Sequence, residues 1–175
     1  MTRDVHPRLE TPRLLLRPMR TSDLDALLLI FTDPAVMAAF GIPPLTHEQM
    51  SRWVDHNLTH QAEHGYGLFA VLLKESGELI GDCGLQQMSI DGATEVELGY
   101  DFRSDHWNRG FATEAARSAR DYAFEALDLP RIVSLIRAGN HASRRVAEKI
   151  GMSLQREIER YEQPYWIFAM TRPER

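Results

Sequence analysis

Three strand-like segments joined by very short turns occupy the middle of the sequence and constrain the fold more than any other feature. The segments are 66–74, 78–90 and 94–102, and each turn between them contains a glycine. Connections this short favour antiparallel pairing between neighbouring strands. In the third segment, the period-two alternation places Glu95, Glu97, Gly99 and Asp101 on one face and Val96, Leu98, Tyr100 and Phe102 on the other. We therefore predict a three-stranded antiparallel meander.

Helices and strands are predicted on both sides of this meander. Before it, the sequence predicts a strand at 13–20 and helices at 23–31, 34–40 and 46–65. After it come a helix at 110–127, a strand at 131–137, a helix at 140–149 and terminal strands at 153–161 and 165–172. The helix after the meander is a crossover long enough for one parallel strand pair. The expected fold class is α/β, more strictly α+β, with a mixed and mostly antiparallel seven-stranded sheet flanked by helices.

The composition is typical of one globular domain. Of the 175 residues, 43% are hydrophobic and 26% are charged, and no apolar run exceeds six residues. We expect a single domain over 1–175, with its core at about 10–172 and no membrane-spanning helix. The N-terminal segment MTRDVHPRLE has no apolar stretch behind its charges, which predicts a cytoplasmic protein without a secretory signal. The net charge of −5 disfavours a nucleic-acid surface, and the lone Cys83 is expected to be a small buried side chain.

The segment WNRGFATE at 107–114 joins a predicted strand to a predicted helix. Gly110 allows a ligand to approach the backbone closely, and the first N–H groups of the following helix have no internal acceptors. These donors and the helix dipole suit a pyrophosphate, with Arg109 adding a charged contact. The alternative is a glycine-containing helix start without a ligand. The segment has neither a Walker loop nor the dinucleotide motif GxGxxG.

Two motifs resemble those of one enzyme family. WNRGFATEA resembles the acyl-coenzyme A pyrophosphate loop of the GNAT N-acetyltransferases, in particular of the RimJ/RimL-type branch. GNHASRRVAEKIGM at 139–152 resembles the signature N-x-x-S-x-R-V-x-E-K-x-G of that branch. The opening ETPRLLLRPMRTSDLDAL and the strand VELGYDF are similar in kind and order. The resemblance covers nearly the whole chain, from about Glu10 to Arg172.

This resemblance implies a strongly twisted sheet whose fourth and fifth strands, at 94–102 and 131–137, splay apart to admit the pantetheine arm of acetyl-coenzyme A. The cofactor contacts that it implies are the backbone of Tyr100, Asp101 and Phe102, the loop residues Trp107, Asn108, Arg109, Gly110, Phe111, Ala112 and Thr113, and the helix residues Asn140 and Ser143. Asn108 stands where the family commonly has glycine, and asparagine tolerates a left-handed backbone.

The resemblance also implies two catalytic residues. An amine acceptor is protonated at neutral pH and must lose a proton before it attacks a thioester. Glu97 lies on the strand where many family members place a base that acts through water, and the alternative is a surface carboxylate. Ser143 matches the family serine near the thioester sulfur and would hydrogen-bond the leaving thiolate, or it satisfies backbone groups at its own helix start. The tyrosine acid of other branches has no obvious equivalent, and Tyr161 and Tyr165 are distant candidates.

His56, His60 and His64 lie four residues apart on one predicted helix face. This spacing can chelate a metal, but HExxH is absent and no cysteine or carboxylate motif completes a ligand set. We expect a solvated stripe and no metal site. Trp53 and Trp166 are expected in the core or in a pocket wall.

The sequence therefore predicts an N-acetyltransferase that uses acetyl-coenzyme A as co-substrate, needs no metal, and transfers the acetyl group directly to a primary amine in a ternary complex. The acceptor would be a small molecule or a protein N-terminus. The segments 31–46 and 156–165 are expected to form the walls of its binding site. A non-catalytic acyl-coenzyme A binding or sensing module is the alternative, and a nucleotide-binding regulator is a third reading. No membrane or nucleic-acid partner is expected. The sequence leaves the oligomeric state open, with a homodimer among the alternatives.

Overall fold

The computed structural model describes residues 7–174 and has five α-helices in that range. The helices are α1 (Leu24–Phe31), α2 (Pro34–Phe40), α3 (His47–His64), α4 (Phe111–Asp121) and α5 (His141–Lys149). The strands are β1 (Leu9–Glu10), β2 (Leu14–Pro18), β3 (Leu68–Leu73), β4 (Leu79–Ile90), β5 (Ala93–Phe102), β6 (Arg131–Arg137), β7 (Ser153–Arg160) and β8 (Gln163–Thr171). The N-terminal segment MTRDVHPRLE, from which the lack of a secretory signal is predicted, lies largely outside the described residues.

The strands form one mixed sheet in the order β1-β2-β3-β4-β5-β6-β8-β7. The predicted meander is β3, β4 and β5, and its neighbours pair antiparallel. The predicted parallel pair is β5 with β6. The prediction of seven strands is one too few, because β1 is a two-residue strand that places Leu9 opposite Leu16. Two residues are too few to show an alternation in the sequence.

The parallel strands β5 and β6 separate almost at once. Within residues 7–174 they are in register at one position, Glu97 opposite Val133, whereas β4 and β5 are in register from Gly81 to Ile90. The hydroxyl of Ser134 donates to the carbonyl oxygen of Leu98 at 2.7 Å and bridges the two strands. The splay predicted between these strands is therefore confirmed.

Helices cover both faces of the sheet. On the face covered by α4 and α5, which we call the α4–α5 face, a large apolar core contains Leu85, Leu98 and Phe168, together with the fully buried Cys83. On the opposite face, which we call the α1–α3 face, α1, α2 and α3 pack over a second apolar cluster. Because side chains alternate along a strand, β5 directs Leu98 to the α4–α5 face and its neighbour Glu97 to the α1–α3 face.

Local signals in the sequence begin and end these helices. Asp33 caps α2 by accepting the N–H of Ala35 at 2.8 Å, and Thr46 and Gln49 form the predicted capping box of α3. The helix predicted at 110–127 is α-helical only to Asp121 and continues as a π-helical turn at Tyr122–Ala126.

In the described range, none of the helices is long and apolar enough to cross a membrane. The organisation of residues 1–175 as a single domain stays a prediction.

Candidate active site

A cavity of about 450 Å³ lies where β5 and β6 separate, and it brings together most of the residues that the sequence singles out. The predicted residues that line it are Glu97, Tyr100, Asp101, Phe102, Trp107, Asn108, Gly110, Phe111, Ala112, Thr113, Asn140 and Ser143. Arg109 is the predicted site residue outside this lining. The gap between the two strands is therefore the candidate active site.

The loop between β5 and α4 has the backbone geometry of an anion site. Asn108 and Gly110 both adopt the left-handed conformation, with φ of 59° and 80°. The prediction that asparagine accepts this conformation is confirmed. The first hydrogen bond inside α4 joins the N–H of Glu114 to the carbonyl oxygen of Gly110 at 3.0 Å. The N–H groups of residues 111–113 precede that bond and are oriented out of the helix start.

Trp107 and Arg109 differ from the other loop residues. The amide of Trp107 donates to the carbonyl oxygen of Ser104 at 3.1 Å, so this N–H is already used within the chain. The Arg109 guanidinium carbon lies 5.0 Å from the centre of the Phe111 ring, and its Nη1 lies 3.3 Å from Nδ1 of His106. Trp107 lines the cavity without a free backbone N–H, and a charged contact from Arg109 would require its side chain to turn.

Three side chains to which the sequence assigns no role hold this loop against the first strands. Arg13 Nη1 donates to the carbonyl oxygen of Arg109 at 2.9 Å, and Arg13 Nε donates to Glu114 Oε2 at 2.7 Å. The hydroxyl of Thr11 donates to Glu114 Oε1 at 2.6 Å. The Arg13 guanidinium also lies 4.3 Å from the centre of the Phe111 ring. We call Thr11, Arg13 and Glu114 the Arg13 clamp, because together they fix both the loop and the first turn of α4.

Glu97 lies in the cavity wall and is not a surface carboxylate. Its Oε1 accepts the N–H of Leu135 at 3.5 Å, and its Oε2 lies 3.3 Å from where a Cβ would stand at Gly99. Burial raises the pKa of Glu97 to about 7, with the N–H of Leu135 and Arg160 opposing the rise and the Asp101 carboxylate adding to it. Such a carboxyl group is partly ionised at neutral pH and can accept a proton from an ammonium group.

Two further carboxyl groups lie near Glu97. Asp101 lines the cavity, and Asp82 lies opposite Asp101 in the register of β4 and β5. Asp82 is completely buried, and neither of its carboxyl oxygens has a hydrogen-bond partner within residues 7–174. Burial raises the pKa of both aspartates, and the charges of Asp101 and Glu97 raise that of Asp82 further. From the sequence, only a backbone contact is predicted for Asp101, and nothing in the sequence singles out Asp82.

The start of α5 forms another part of the wall. Asn140 Oδ1 accepts the N–H of Ser143 at 3.1 Å, so Asn140 caps the helix and the hydroxyl of Ser143 is not required for the cap. The hydroxyl of Tyr100 donates to the carbonyl oxygen of Ser143 at 2.7 Å, and burial raises the pKa of this phenol. Of the two tyrosines considered from the sequence, Tyr165 lines the cavity, whereas Tyr161 is 77% exposed.

Aromatic side chains from α1, α2 and α3 form a further wall. The ring of Phe31 lies 5.1 Å from that of Trp53 and 6.1 Å from that of Phe40, measured between ring centres. Val36 extends this apolar surface. Within the predicted segment 31–46, Phe31, Val36, Ala39 and Phe40 line the cavity, and within 156–165 only Tyr165 does. Contact of these segments with the acceptor stays a prediction. This wall faces a site that also contains carboxyl groups, a combination that attracts cations.

His60 is a buried hydrogen-bonding group of the core. Its Nε2 accepts the N–H of Gln87 at 2.9 Å and its Nδ1 lies 3.1 Å from the carbonyl oxygen of Tyr66, so the ring is neutral with its proton on Nδ1. Burial lowers the pKa of His60, and the neighbouring His64 lowers it further. The predicted solvated stripe is wrong at this position, although His56 and His64 are exposed. In the part of the chain that the structure describes, no group of three or more His, Cys, Asp and Glu side chains could hold a metal ion.

Several further residues, to which the sequence assigns no role, line the cavity or support its wall. Gln86 donates to Asn57, which is buried on α3 and donates to the carbonyl oxygen of Trp53 at 2.9 Å. The basic residues Arg137, Arg145 and Lys149 also line the cavity. Gln86 lies opposite Glu97, so knowledge of the β4–β5 register would have placed it at the site.

Comparison with known proteins identifies the family. Residues 13–153 match the family described as Acetyltransferase (GNAT) domain. The uncharacterized N-acetyltransferase p20 of Bacillus licheniformis is 32% identical over 159 residues, which cover 88% of this chain and 86% of that protein. The chain therefore belongs to the GNAT acetyltransferase family, and it is an N-acetyltransferase.

Solved structures share the fold. An acetyltransferase from Agrobacterium tumefaciens str. C58 superposes with a TM-score of 0.83 at 32% identity, covering 95% of this chain and 95% of that chain. RimL, a ribosomal L7/L12 α-N-protein acetyltransferase in complex with coenzyme A, superposes with a TM-score of 0.76 at 18% identity, covering 95% of this chain and 98% of that chain. The resemblance to the RimJ/RimL-type branch thus extends to the architecture, and the low identity to RimL shows the fold alone.

Proposed function

We propose that this N-acetyltransferase transfers the acetyl group of acetyl-coenzyme A directly to a primary amine while both substrates are bound in the cavity, with Glu97 as the general base. The observation that supports this proposal most is the position of Glu97, whose pKa burial raises to about 7, in the wall of a cavity that also contains the start of α4. Direct transfer fits the chain because its single cysteine, Cys83, is fully buried in the α4–α5 core and offers no accessible thiol nucleophile.

The residues of the cavity fit acetyl-coenzyme A as co-substrate. The N–H groups at residues 111–113 and the dipole of α4 suit a pyrophosphate. Beyond Glu97, β5 has separated from β6, so the backbone of 100–102 can pair with the amides of a pantetheine arm. Asn140 and Ser143 line the same gap. When bound there, acetyl-coenzyme A supplies an activated thioester.

In the proposed reaction the chain supplies one proton acceptor, Glu97, and one hydrogen-bond donor, Ser143. Glu97 takes a proton from the acceptor ammonium, directly or through one water. The neutral nitrogen then forms the C–N bond to the thioester carbonyl carbon as the C–S bond breaks, and the sulfur leaves with the electron pair. Ser143 donates a hydrogen bond to that sulfur, which takes up the second proton of the nitrogen. Glu97 returns its proton to solvent, so each turnover gives an amide, a free thiol and one proton.

The acceptor class is a primary amine, either on a small molecule or at a protein N-terminus. The aromatic wall of Phe31, Phe40 and Trp53 supports an acceptor whose ammonium group is attached to an apolar body, since aromatic faces attract cations and pack against apolar groups.

Substitution of Glu97 by glutamine tests this function, because Glu97→Gln keeps the size of the side chain and removes the base. We expect kcat/KM for amine acetylation, followed as thiol release with a panel of amines and peptides, to fall about 10²–10⁴-fold. Binding of acetyl-coenzyme A, measured by calorimetry, should not change. In the wild type, kcat/KM should rise with pH and level off above about pH 7, since Glu97 must be ionised to act.

Glu95→Gln is the matched control. Glu95 lies on the same strand and the same face, but it pairs with Arg131 at 3.4 Å, so this variant should keep wild-type activity. If Glu97→Gln released thiol at the wild-type rate, the assignment of Glu97 as the general base would be wrong. Tight binding of acetyl-coenzyme A by the wild type without acetylation of any amine in the panel would favour the binding-module alternative.

A further inference from the structure

The side chains of Asp82 and Asp101, which we call the acid pair, lie next to each other below the cavity. The two residues are directly opposite in the antiparallel register of β4 and β5. In such positions the Cβ atoms are roughly 5 Å apart on the same face, so the carboxyl groups can meet. Asp82 is completely buried, whereas Asp101 lines the cavity. Two carboxyl groups this close cannot both be ionised in a buried site that lacks a cation.

No cation within residues 7–174 offsets the acid pair. Neither carboxyl oxygen of Asp82 has a hydrogen-bond partner there. Arg17 lies in the same row of the sheet, with Ala70 between it and Asp82. Its guanidinium donates to both carboxyl oxygens of Asp23, at 2.7 and 2.8 Å, and is therefore already paired. A shared proton would satisfy the acid pair without a further residue of the chain.

The acid pair is close enough to Glu97 to affect it. Glu97 lies on the same face of β5, and only Gly99 stands between it and Asp101 on that face. The Glu97 carboxylate lies over Gly99, with Oε2 at 3.3 Å from where a Cβ would stand. A side chain at position 99 would separate the charges, whereas glycine leaves the space between them open.

Few opposite charges face this group of carboxyls. The charged and titratable residues around it are Arg17 and Asp23 beside α1, Asp33 at α2, His60 on α3, Arg137 on β6 and Arg160 on β7. His60 is neutral, and Arg17 and Asp23 pair with each other. Arg160 donates to the carbonyl oxygen of Ser89 at 2.9 Å, and Arg137 donates to Gln163 Oε1 at 3.2 Å. The acid pair is thus a net source of negative charge beside Glu97.

We propose that Asp82 and Asp101 share one proton, the protonated carboxyl donating a hydrogen bond to the ionised one, and that the single negative charge left on the acid pair makes Glu97 a stronger base. This inference rests on the proposed role of Glu97. The acid pair neither gains nor loses a proton during turnover, because Glu97 takes the proton of the ammonium and later releases it. Asp82 and Asp101 are positioning residues that act through Glu97.

Infrared spectroscopy of the full chain without substrate tests the shared proton. At about pH 8, above the pKa of Glu97, the wild type should show the C=O stretching band of a protonated carboxylic acid. Asp82→Asn and Asp101→Asn should each lose this band, because the amide donates the hydrogen bond and the remaining carboxyl ionises. Glu97→Gln should keep it. A wild type without the band, or a band that survives in both aspartate variants, would overturn the proposal.

The pH dependence of kcat/KM tests the action on Glu97. In the double variant Asp82→Asn/Asp101→Asn, the acid limb of the profile should move to lower pH by about half a unit to one unit, because the negative charge is gone. Each single variant keeps one charge and should leave the limb in place, as should Glu95→Gln. If the two aspartates had a purely structural role, the double variant would have lower activity but an unchanged acid limb. An unchanged acid limb in the double variant would therefore overturn the proposal.

The two readouts also separate this inference from the proposed function. Failure of the wild type to acetylate any amine would contradict the proposed function, whereas the infrared band does not depend on activity. The amide variants match aspartate in size and remove a repulsion. Should the double variant fail to fold, the band in the single variants still decides whether the proton is shared.

Discussion

The two faces of the sheet differ in the polar groups that they bury. Among the described residues, the core of the α4–α5 face is apolar apart from Ser134, whose hydroxyl bridges β6 to β5, and the hydroxyls of Tyr66 and Tyr122. On the α1–α3 side, buried polar side chains lie among the apolar ones, and they are Asp23, Asn57, His60 and Asp82. A buried polar group costs free energy unless it is hydrogen-bonded. Asp23, Asn57 and His60 have such partners, whereas Asp82 has none among residues 7–174, so this side gives up stability at Asp82, next to the cavity. The apolar core that stabilises the fold thus lies mainly on one face of the sheet, and most of the buried polar side chains lie on the other. Strands β4 and β5 contribute to both, because their alternate side chains point to opposite faces.

Adjacent residues of β4 provide the largest expected contrast. Leu85 is completely buried in the α4–α5 core, whereas Gln86 lines the cavity. Leu85→Ala should lower the free energy of unfolding by about 2–5 kcal/mol, because it leaves a void in a close-packed core, without changing kcat/KM where the protein is folded. Gln86→Ala should lower kcat/KM and cost far less stability. Urea denaturation measures the free energy of unfolding, and steady-state kinetics measures kcat/KM. If the two substitutions changed these quantities to a similar extent, the proposed difference between the two faces would be wrong.

The next contrast concerns His60, the polar group that fastens α3 to β4. His60→Phe should lower the free energy of unfolding by about 1–3 kcal/mol at pH 7.5, because it leaves the N–H of Gln87 and the carbonyl of Tyr66 without their partner. Burial lowers the pKa of His60. Its stabilising contribution is therefore complete above the unfolded pKa of about 6.5 and is lost as the pH falls below that value.

The difference in stability between wild type and His60→Phe should accordingly shrink between about pH 7 and pH 5 in urea titrations. His47→Phe is the matched control, since His47 is exposed and lies thirteen residues before His60 on the same helix, and it should behave as the wild type does. A difference that stays constant with pH would show that His60 is not held neutral.

The smallest expected effect concerns the cap of α2. Asp33→Ala removes the acceptor for the N–H of Ala35 and should lower the free energy of unfolding by about 1 kcal/mol. Because α2 carries Val36 and Phe40 in the cavity wall, we expect the KM for the amine to rise more than the KM for acetyl-coenzyme A. Thr46→Ala removes the cap of α3 and is the comparison. If it shifts the amine KM equally, general loss of stability would be the cause.

Much of the architecture follows from local signals in the sequence. The short turns of the meander and the capping box at Thr46 depend on residues a few positions apart, so they can be read without knowing the fold. The prediction for the 107–114 loop has the same basis, and the left-handed backbone of Asn108 and Gly110 agrees with it. The role of Glu97 as base and the cofactor contacts stay predictions.

The features that the sequence analysis missed depend on pairing between distant segments. Asp82, in the glycine-rich run GDCGL, becomes notable only once the register places it opposite Asp101. Helical spacing groups His60 with His56 and His64, but it cannot show that this position meets the backbone of Gln87. The clamp formed by Arg13 and Glu114 joins residues 101 positions apart, and although both lie in segments that resemble the family, nothing in either segment shows that the two side chains meet.

The Arg13 clamp has a consequence for the whole edge of the sheet. A ligand that orders the loop before α4 also favours the conformation in which β1 and β2 are held in place, and by linkage an intact edge strengthens binding of that ligand. Edge strands that loosen are templates for pairing with other chains. If acetyl-coenzyme A binds at this loop as proposed, its supply would affect how readily the first strands fray as well as the rate of turnover.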